Sequence, residues 1–178
     1  MLDKMTEVPV NVMLDLETVG TEAGCGVLSI GACTFDFQHK FYERIDPASS
    51  RIYLKENIDT MRWWHKQDHR LREEAFGGTR ELLSVLDSFH DWFRALDKNY
   101  KNIFIWGNGA DFDLPILGHA YSVMERPIPW AAYNGRCYRT LKNLLPHVKA
   151  PPRASAKHHA LEDAIYQAEH AVVLLNVL

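Results

Sequence analysis

The chain is poor in cysteine: Cys25, Cys33 and Cys137 are the three in 178 residues, far apart and without a Cys-x-x-Cys pair. An odd count at such spacing argues against a disulfide framework and a cysteine zinc cluster, and fits buried thiols in a reducing compartment. No apolar run approaches the ~20 residues needed to cross a bilayer, and the opening "MLDKMTEVPV" lacks the apolar core of a secretion signal. A cytoplasmic protein with no membrane partner is expected. Positive charge is not in excess either, since the formal net charge is -3, which argues against holding nucleic acid by bulk charge. Internal repeats and low-complexity tracts are missing too. With 47% apolar residues, one domain spanning 1–178 with a sizeable core is expected.

What is present is unevenly spread. Between Arg126 and Leu161 there is no Asp or Glu, while Arg126, Arg136, Arg139, Lys142, Lys149, Arg153 and Lys157 all fall in that window. Such a block reads either as a solvated surface or as a local landing site for a polyanion.

Apolar patterning predicts strands over Val8 to Leu16, over "GVLSIGACTFDF" (26–37) and over "KFYERID" (40–46), joined by short turns as an antiparallel meander. "IDTMRWWHKQDHRLREEAF" then reads as helical with Asp59 or Thr60 as N-cap and Trp63 in the core. "GGTRELLSVLDSFHDWFRALD" reads as an amphipathic helix opened by Thr79, its Leu82, Leu86, Phe89 and Phe93 on one face. A fourth strand, "NIFIWGNG" (102–109), is followed by the helix "ADFDLPILGHAYSVM", a weak strand around Ala132 to Tyr138, a loop "HVKAPPRASAKHH", and a last helix from about Ala160 to Leu178. This order predicts an α/β domain on a mixed sheet.

The first strand ends in two acids, Asp15 and Glu17. If the strand continues through them, they project from one side about 7 Å apart and raise one another's pKa, a conflict that a hard divalent cation removes. If it stops at Leu14, both sit in a solvated turn. Asp113 and Asp163 each stand near a predicted helix start, where the macrodipole alone favours an acid. A fold gathering all four would build a carboxylate pocket. His158, five residues before Asp163, is suited to accept a proton near neutral pH.

"DLET" at 15–18, "NGADFD" at 108–113 and "HHALED" at 158–163, in that order, resemble the three motifs of the DEDDh (DnaQ-like) 3′-to-5′ exonucleases of the ribonuclease-H-like superfamily. "DLETVGTEAGCGVLSIGACTFD", "MRWWHKQ", "WGNGADFDLPIL" and "RCYRTL" look like the branch with phage exodeoxyribonucleases and small bacterial exoribonucleases. The resemblance implies a ribonuclease-H-like mixed sheet, a three-strand antiparallel meander plus parallel strands, flanked by helices. It implies that Asp15, Glu17, Asp113 and Asp163 ligate two Mg²⁺ or Mn²⁺ ions and that His158 is the general base. The implied reaction is hydrolysis of single-stranded DNA or RNA, or of 3′ overhangs, from a free 3′ end to nucleoside 5′-monophosphates. Thr18 and Val19 would touch the terminal sugar and base, and Asn108 would lie among the substrate contacts. Phe112 and Trp64 would stack on bases unless they pack in the core. Homodimers are common in this group, so a homodimer is a candidate assembly.

The chain departs from the pattern in two places. Many relatives carry His-Asn-Ala where Asn108-Gly109-Ala110 stands, and the branch often has an acid at the position of Cys137, so "RCYRTL" receives no catalytic role. Two other readings compete. A nucleic-acid-binding module with dead chemistry is disfavoured by the five intact motif residues, and a zinc site from Cys25, Cys33, His158 and His159 lacks zinc-finger spacing.

Overall fold

A computed structural model describes residues 9–109, 111–153 and 158–178. Val8, Ala110 and Lys157, which entered the sequence reading, lie outside these. One sheet of five strands has the order β3-β2-β1-β4-β5, built from β1 (Val10–Thr18), β2 (Val27–Thr34), β3 (Lys40–Arg44), β4 (Ile103–Gly107) and β5 (Gly135–Cys137). The first three pair antiparallel, and β4 then joins β1, and β5 joins β4, in parallel. The helices are α1 (Pro47–Arg51), α2 (Ile58–His65), α3 (His69–Phe76), α4 (Leu82–Ala95), α5 (Asp113–Val123), α6 (Tyr138–Leu144) and α7 (Ala160–Leu175). The expected meander with added parallel strands is the architecture found.

Alternation along β1 divides the core in two. Val12, Leu14 and Leu16 pack with Leu86, Phe89 and Phe93 of α4 and Ile116 and Leu117 of α5. Met13, between them, packs with Leu141 of α6 and Ala164, Ala168 and Ala171 of α7. So α4 and α5 cover one face, and α6 and α7 the other. Asp15 and Glu17 continue the Met13 row, on the α7 side. That helix lies very close to the sheet: a Cβ on Gly31 of β2 would stand 2.2 Å from the Ala160 carbonyl carbon, so only glycine fits there.

Several expected boundaries move. Strand β1 runs through both acids to Thr18, with a bulge between Glu17 and Thr18, so the solvated-turn reading fails. The helix expected over 58–76 is two helices. Asn57 caps the first, its Oδ1 accepting from the N–H groups of Asp59 and Thr60 (2.9 and 3.1 Å), and Asp68 caps the second through the Leu71 N–H (3.0 Å). Helix α4 begins at Leu82 rather than near Thr79, and the Leu82 N–H donates to Ser49 Oγ (2.7 Å). Strand β2 ends at Thr34, where Phe37 takes a positive φ of 61° in the turn. Helices α1 and α6 were not expected. Among the described residues no helix is long and apolar enough to cross a membrane.

Candidate active site

The pairing of β4 with β1 ends at Met13 and Trp106, and beyond that point the two strands leave a gap at their C-terminal ends. Asp113, the first residue of α5 and 1% exposed, fills it. Its Oδ1 accepts from the Leu16 N–H and its Oδ2 from the Asn108 N–H, each at 3.2 Å. From the other side α7 brings Asp163, whose Oδ2 accepts from the His158 N–H at 2.8 Å and whose Oδ1 contacts the Arg153 guanidinium. Ligand atoms of Glu17, His158 and Asp163 all lie within 4.8 Å of one another. His158 takes a φ of 63°, a conformation costly for a non-glycine residue, held here by the bond from its own N–H to Asp163.

The acids crowd each other electrostatically. Burial pushes Glu17, 8% exposed, up to about 8, with the charges of Asp163 and Asp113 adding to the shift. Asp15 is raised well above the ordinary carboxylate range, first by burial and then by Asp113, Glu17 and Asp163, while a hydrogen bond from Gln167 opposes this. Asp113 is raised too, chiefly by burial, against the N–H donors at Asn108 and Leu16. Asp15, Glu17 and Asp113, driven toward the neutral form chiefly by burial, stand with Asp163 as hard oxygen donors that fit a divalent cation, which would restore the ionised state of those three.

These residues line one cleft of about 770 Å³. It contains Asp15, Glu17, Thr18, Trp64, Asn108, Phe112, His158 and Asp163 from the sequence reading, with Asp113 beneath the Leu16 backbone. Two substrate assignments change. Trp64 is 2% exposed, its indole N–H donating to the Thr18 carbonyl (2.9 Å), so its ring is packed rather than open for stacking. The expected core residue Trp63 is the exposed one, at 38%, and its ring meets the His158 ring edge-on at 4.9 Å. Val19 is buried against Leu28, Trp64 and Ala75 and does not line the cleft. The Thr18 hydroxyl donates to the Gly20 carbonyl at 2.6 Å. Gly109, at φ 135°, holds a conformation that an asparagine there would strain.

The alternatives fare poorly. Cys25 belongs to the α4 side of the sheet and Cys33 to the α7 side, so the zinc quartet does not assemble. The basic block disperses: Arg126 pairs with Asp87, Arg136 lies over the Phe104 ring and Arg139 donates to the Asn108 carbonyl. Lys142 and Arg153 face the cleft. Sequence reasoning missed Gln167, whose Nε2 donates to Asp15 Oδ1 at 2.7 Å. Its place four residues after Asp163, on the same helix face, was the available signal.

A mixed sheet with an acid-and-histidine cleft at the end of its first strand defines the ribonuclease-H-like DEDDh nuclease class. The nuclease domain of 3′hExo, described as a DEDDh family member bound to rAMP, superposes with a TM-score of 0.66 at 12% identity, covering 97% of this chain and 94% of that one. Cell-death related nuclease 4 gives 0.62 at 13% identity over 95% of this chain and 64% of the other. Exonuclease X, in complex with 5′ overhanging duplex DNA, gives 0.58 at 16% over 94% and 92%. At such identities these likenesses speak for the fold. No curated protein sequence matches the chain significantly. The model of the 3′-5′ exoribonuclease Rv2179c-like domain matches residues 10–175, so the chain belongs to that family and is a 3′-to-5′ exonuclease.

Proposed function

We propose that the chain removes single nucleotides from the 3′ end of single-stranded RNA or of 3′ overhangs, releasing nucleoside 5′-monophosphates, with two Mg²⁺ or Mn²⁺ ions held by Asp15, Glu17, Asp113 and Asp163. The observation that carries this reading is the meeting of those carboxylates with His158 in one cleft. RNA is favoured by the family's description and by the rAMP in 3′hExo.

The cations would supply Lewis acidity, acidifying the attacking water and offsetting charge on the phosphate and the leaving 3′-oxygen. His158 would accept the proton of that water, a contribution of about 10²–10⁴-fold for a positioned base. Its fixed backbone and the edge contact with Trp63 restrict where the ring can point. Trp63, exposed in the cleft wall, takes over the stacking role first assigned to Trp64. Thr18 and Phe112 border the place of the terminal nucleotide. Lys142 and Arg153 let a net-acidic chain draw in a polyanion.

The test is digestion of matched RNA and DNA oligonucleotides, single-stranded and with 3′ overhangs, in Mg²⁺ or Mn²⁺. RNA should shorten one nucleotide at a time from its 3′ end, and chelation should stop it. Faster digestion of DNA would overturn the RNA assignment. Binding of both without cleavage of either would favour the inactive module.

A further inference from the structure

Gln167 lies on the α7 face that packs against β1 and is 6% exposed. Its two polar ends differ. Nε2 donates to Asp15 Oδ1 at 2.7 Å, whereas Oε1 is buried and has no hydrogen-bond partner among the described residues. With Asp15 ionised, as a cation ligand must be, the amide cannot be turned over, because that would set one acceptor oxygen against another. An unpaired buried carbonyl oxygen costs about 1–3 kcal/mol, a cost that leucine in the same volume would avoid. His170, three residues on and also buried, shows what a purely structural polar side chain does on this helix. Both its ring nitrogens are paired, Nδ1 with the Tyr138 hydroxyl (2.7 Å) and Nε2 with the Val148 carbonyl (3.2 Å).

We infer that Gln167 is a positioning residue for the metal-dependent reaction: its N–H fixes the orientation of the Asp15 carboxylate toward the cation, and its Oε1 accepts from water in the cation's hydration shell. This rests on the reading of Asp15 as a cation ligand. Groups that orient metal-ligating side chains characteristically contribute 10–100-fold to metal affinity, and an amide bonded to a carboxylate on one end and to water on the other does so without adding charge. Gln167 lines the cleft beside Asp15.

The experiment is Mn²⁺ binding to the full chain, followed by electron paramagnetic resonance, for the wild type, Gln167→Leu and Gln167→Met, with thermal melting in chelator alongside. Both variants should bind Mn²⁺ about 10–100-fold more weakly while melting in chelator at or above the wild-type temperature. High Mn²⁺ should recover most of the lost exonuclease rate, which a folding defect would not allow. Unchanged Mn²⁺ affinity, or a lowered melting temperature in chelator with no change in affinity, would make Gln167 a packing residue and overturn the assignment. Mn²⁺ uptake by the wild type separates the two levels of the argument: if the wild type takes up none, the metal-centre reading falls and this role falls with it.

Discussion

The two faces of the sheet are built from different materials. On one, Phe89 and Phe93 of α4, Ile103 and Ile105 of β4 and Tyr121 and Trp130 fill the space with large side chains and ring contacts. On the other, α7 presents Ala164, Ala168 and Ala171 to β1 and β2, and Gly31 removes even a Cβ beneath Ala160. Bulk separates layers and makes stability through buried area; small residues let a helix approach until short polar side chains can reach across. Asp163 and Gln167 are such side chains. Strand β1 serves both purposes, with Val12, Leu14 and Leu16 on the bulky face and Met13, Asp15 and Glu17 on the close one.

Equal-sized lesions on the two faces should therefore fail differently. Asp113→Asn keeps one acceptor for the Leu16 or Asn108 N–H while removing the charge, and should lower the exonuclease rate by about 10⁴-fold or more with the fold intact. His158→Ala should cost about 10²–10⁴-fold in rate and leave Mn²⁺ binding largely unchanged. Leu86→Ala, on the bulky face, should cost about 2–5 kcal/mol in a denaturant melt while the rate per folded molecule stays near wild type. Near-wild-type cleavage by Asp113→Asn would remove that residue from the chemistry.

The bulky face was the more legible in sequence. The repeat Leu82, Leu86, Phe89, Phe93 announces α4, and the apolar runs announce β1, β2 and β4. Asp15 and Glu17 also stood out, because acids ending a buried run conflict with burial unless something compensates them, whereas Asp113, His158 and Asp163 were marked by the resemblance of their motifs. The phase of α2 was not visible. Trp63 and Trp64 differ by about 100° around a helix, and which of them faces the core is set by how α2 packs, with Trp64 against Val19, Leu28 and Ala75. Helix α6, seven residues long, was hidden by the strand-like residues before it. Gln167 meets Asp15 only once α7 stands against β1, its one local sign being its place four residues after Asp163, and the contact of Arg153 with Asp163 has no local pattern that marks it.

A smaller effect concerns stability without cation. Glu17 has its folded pKa pushed up to about 8, against 4.5 when unfolded. Between these values the folded chain keeps a proton that the unfolded chain has released, so its stability falls as pH rises through that window and levels off above it. Asp15 and Asp113 act in the same direction. In chelator, Glu17→Gln should melt higher than wild type at pH 8, by a few kcal/mol in stability, with a shallower decline from pH 5. Added Mg²⁺ should flatten the wild-type curve. A wild-type melting temperature in chelator that rises from pH 5 to 8 would contradict the crowding of acids on the close face.

The smallest expected effects test the contrast with two glycines. Gly118, in α5, has nothing within 4 Å of where a Cβ would go, so Gly118→Ala should gain most of the helix-propensity difference, about 1 kcal/mol. Gly31→Ala meets backbone at 2.2 Å and must push α7 off β2, which should cost about 1–3 kcal/mol, of the size found for overpacked cores. The second substitution should also lower the exonuclease rate of the folded protein, because a shift of α7 carries Asp163 and Gln167 away from Asp15 and Glu17, whereas the first should leave the rate unchanged. Denaturant melts paired with rates at saturating Mn²⁺ read both quantities. Equal tolerance of alanine at the two positions would mean that α7 has slack against the sheet, and close packing would no longer explain how the acids are brought together.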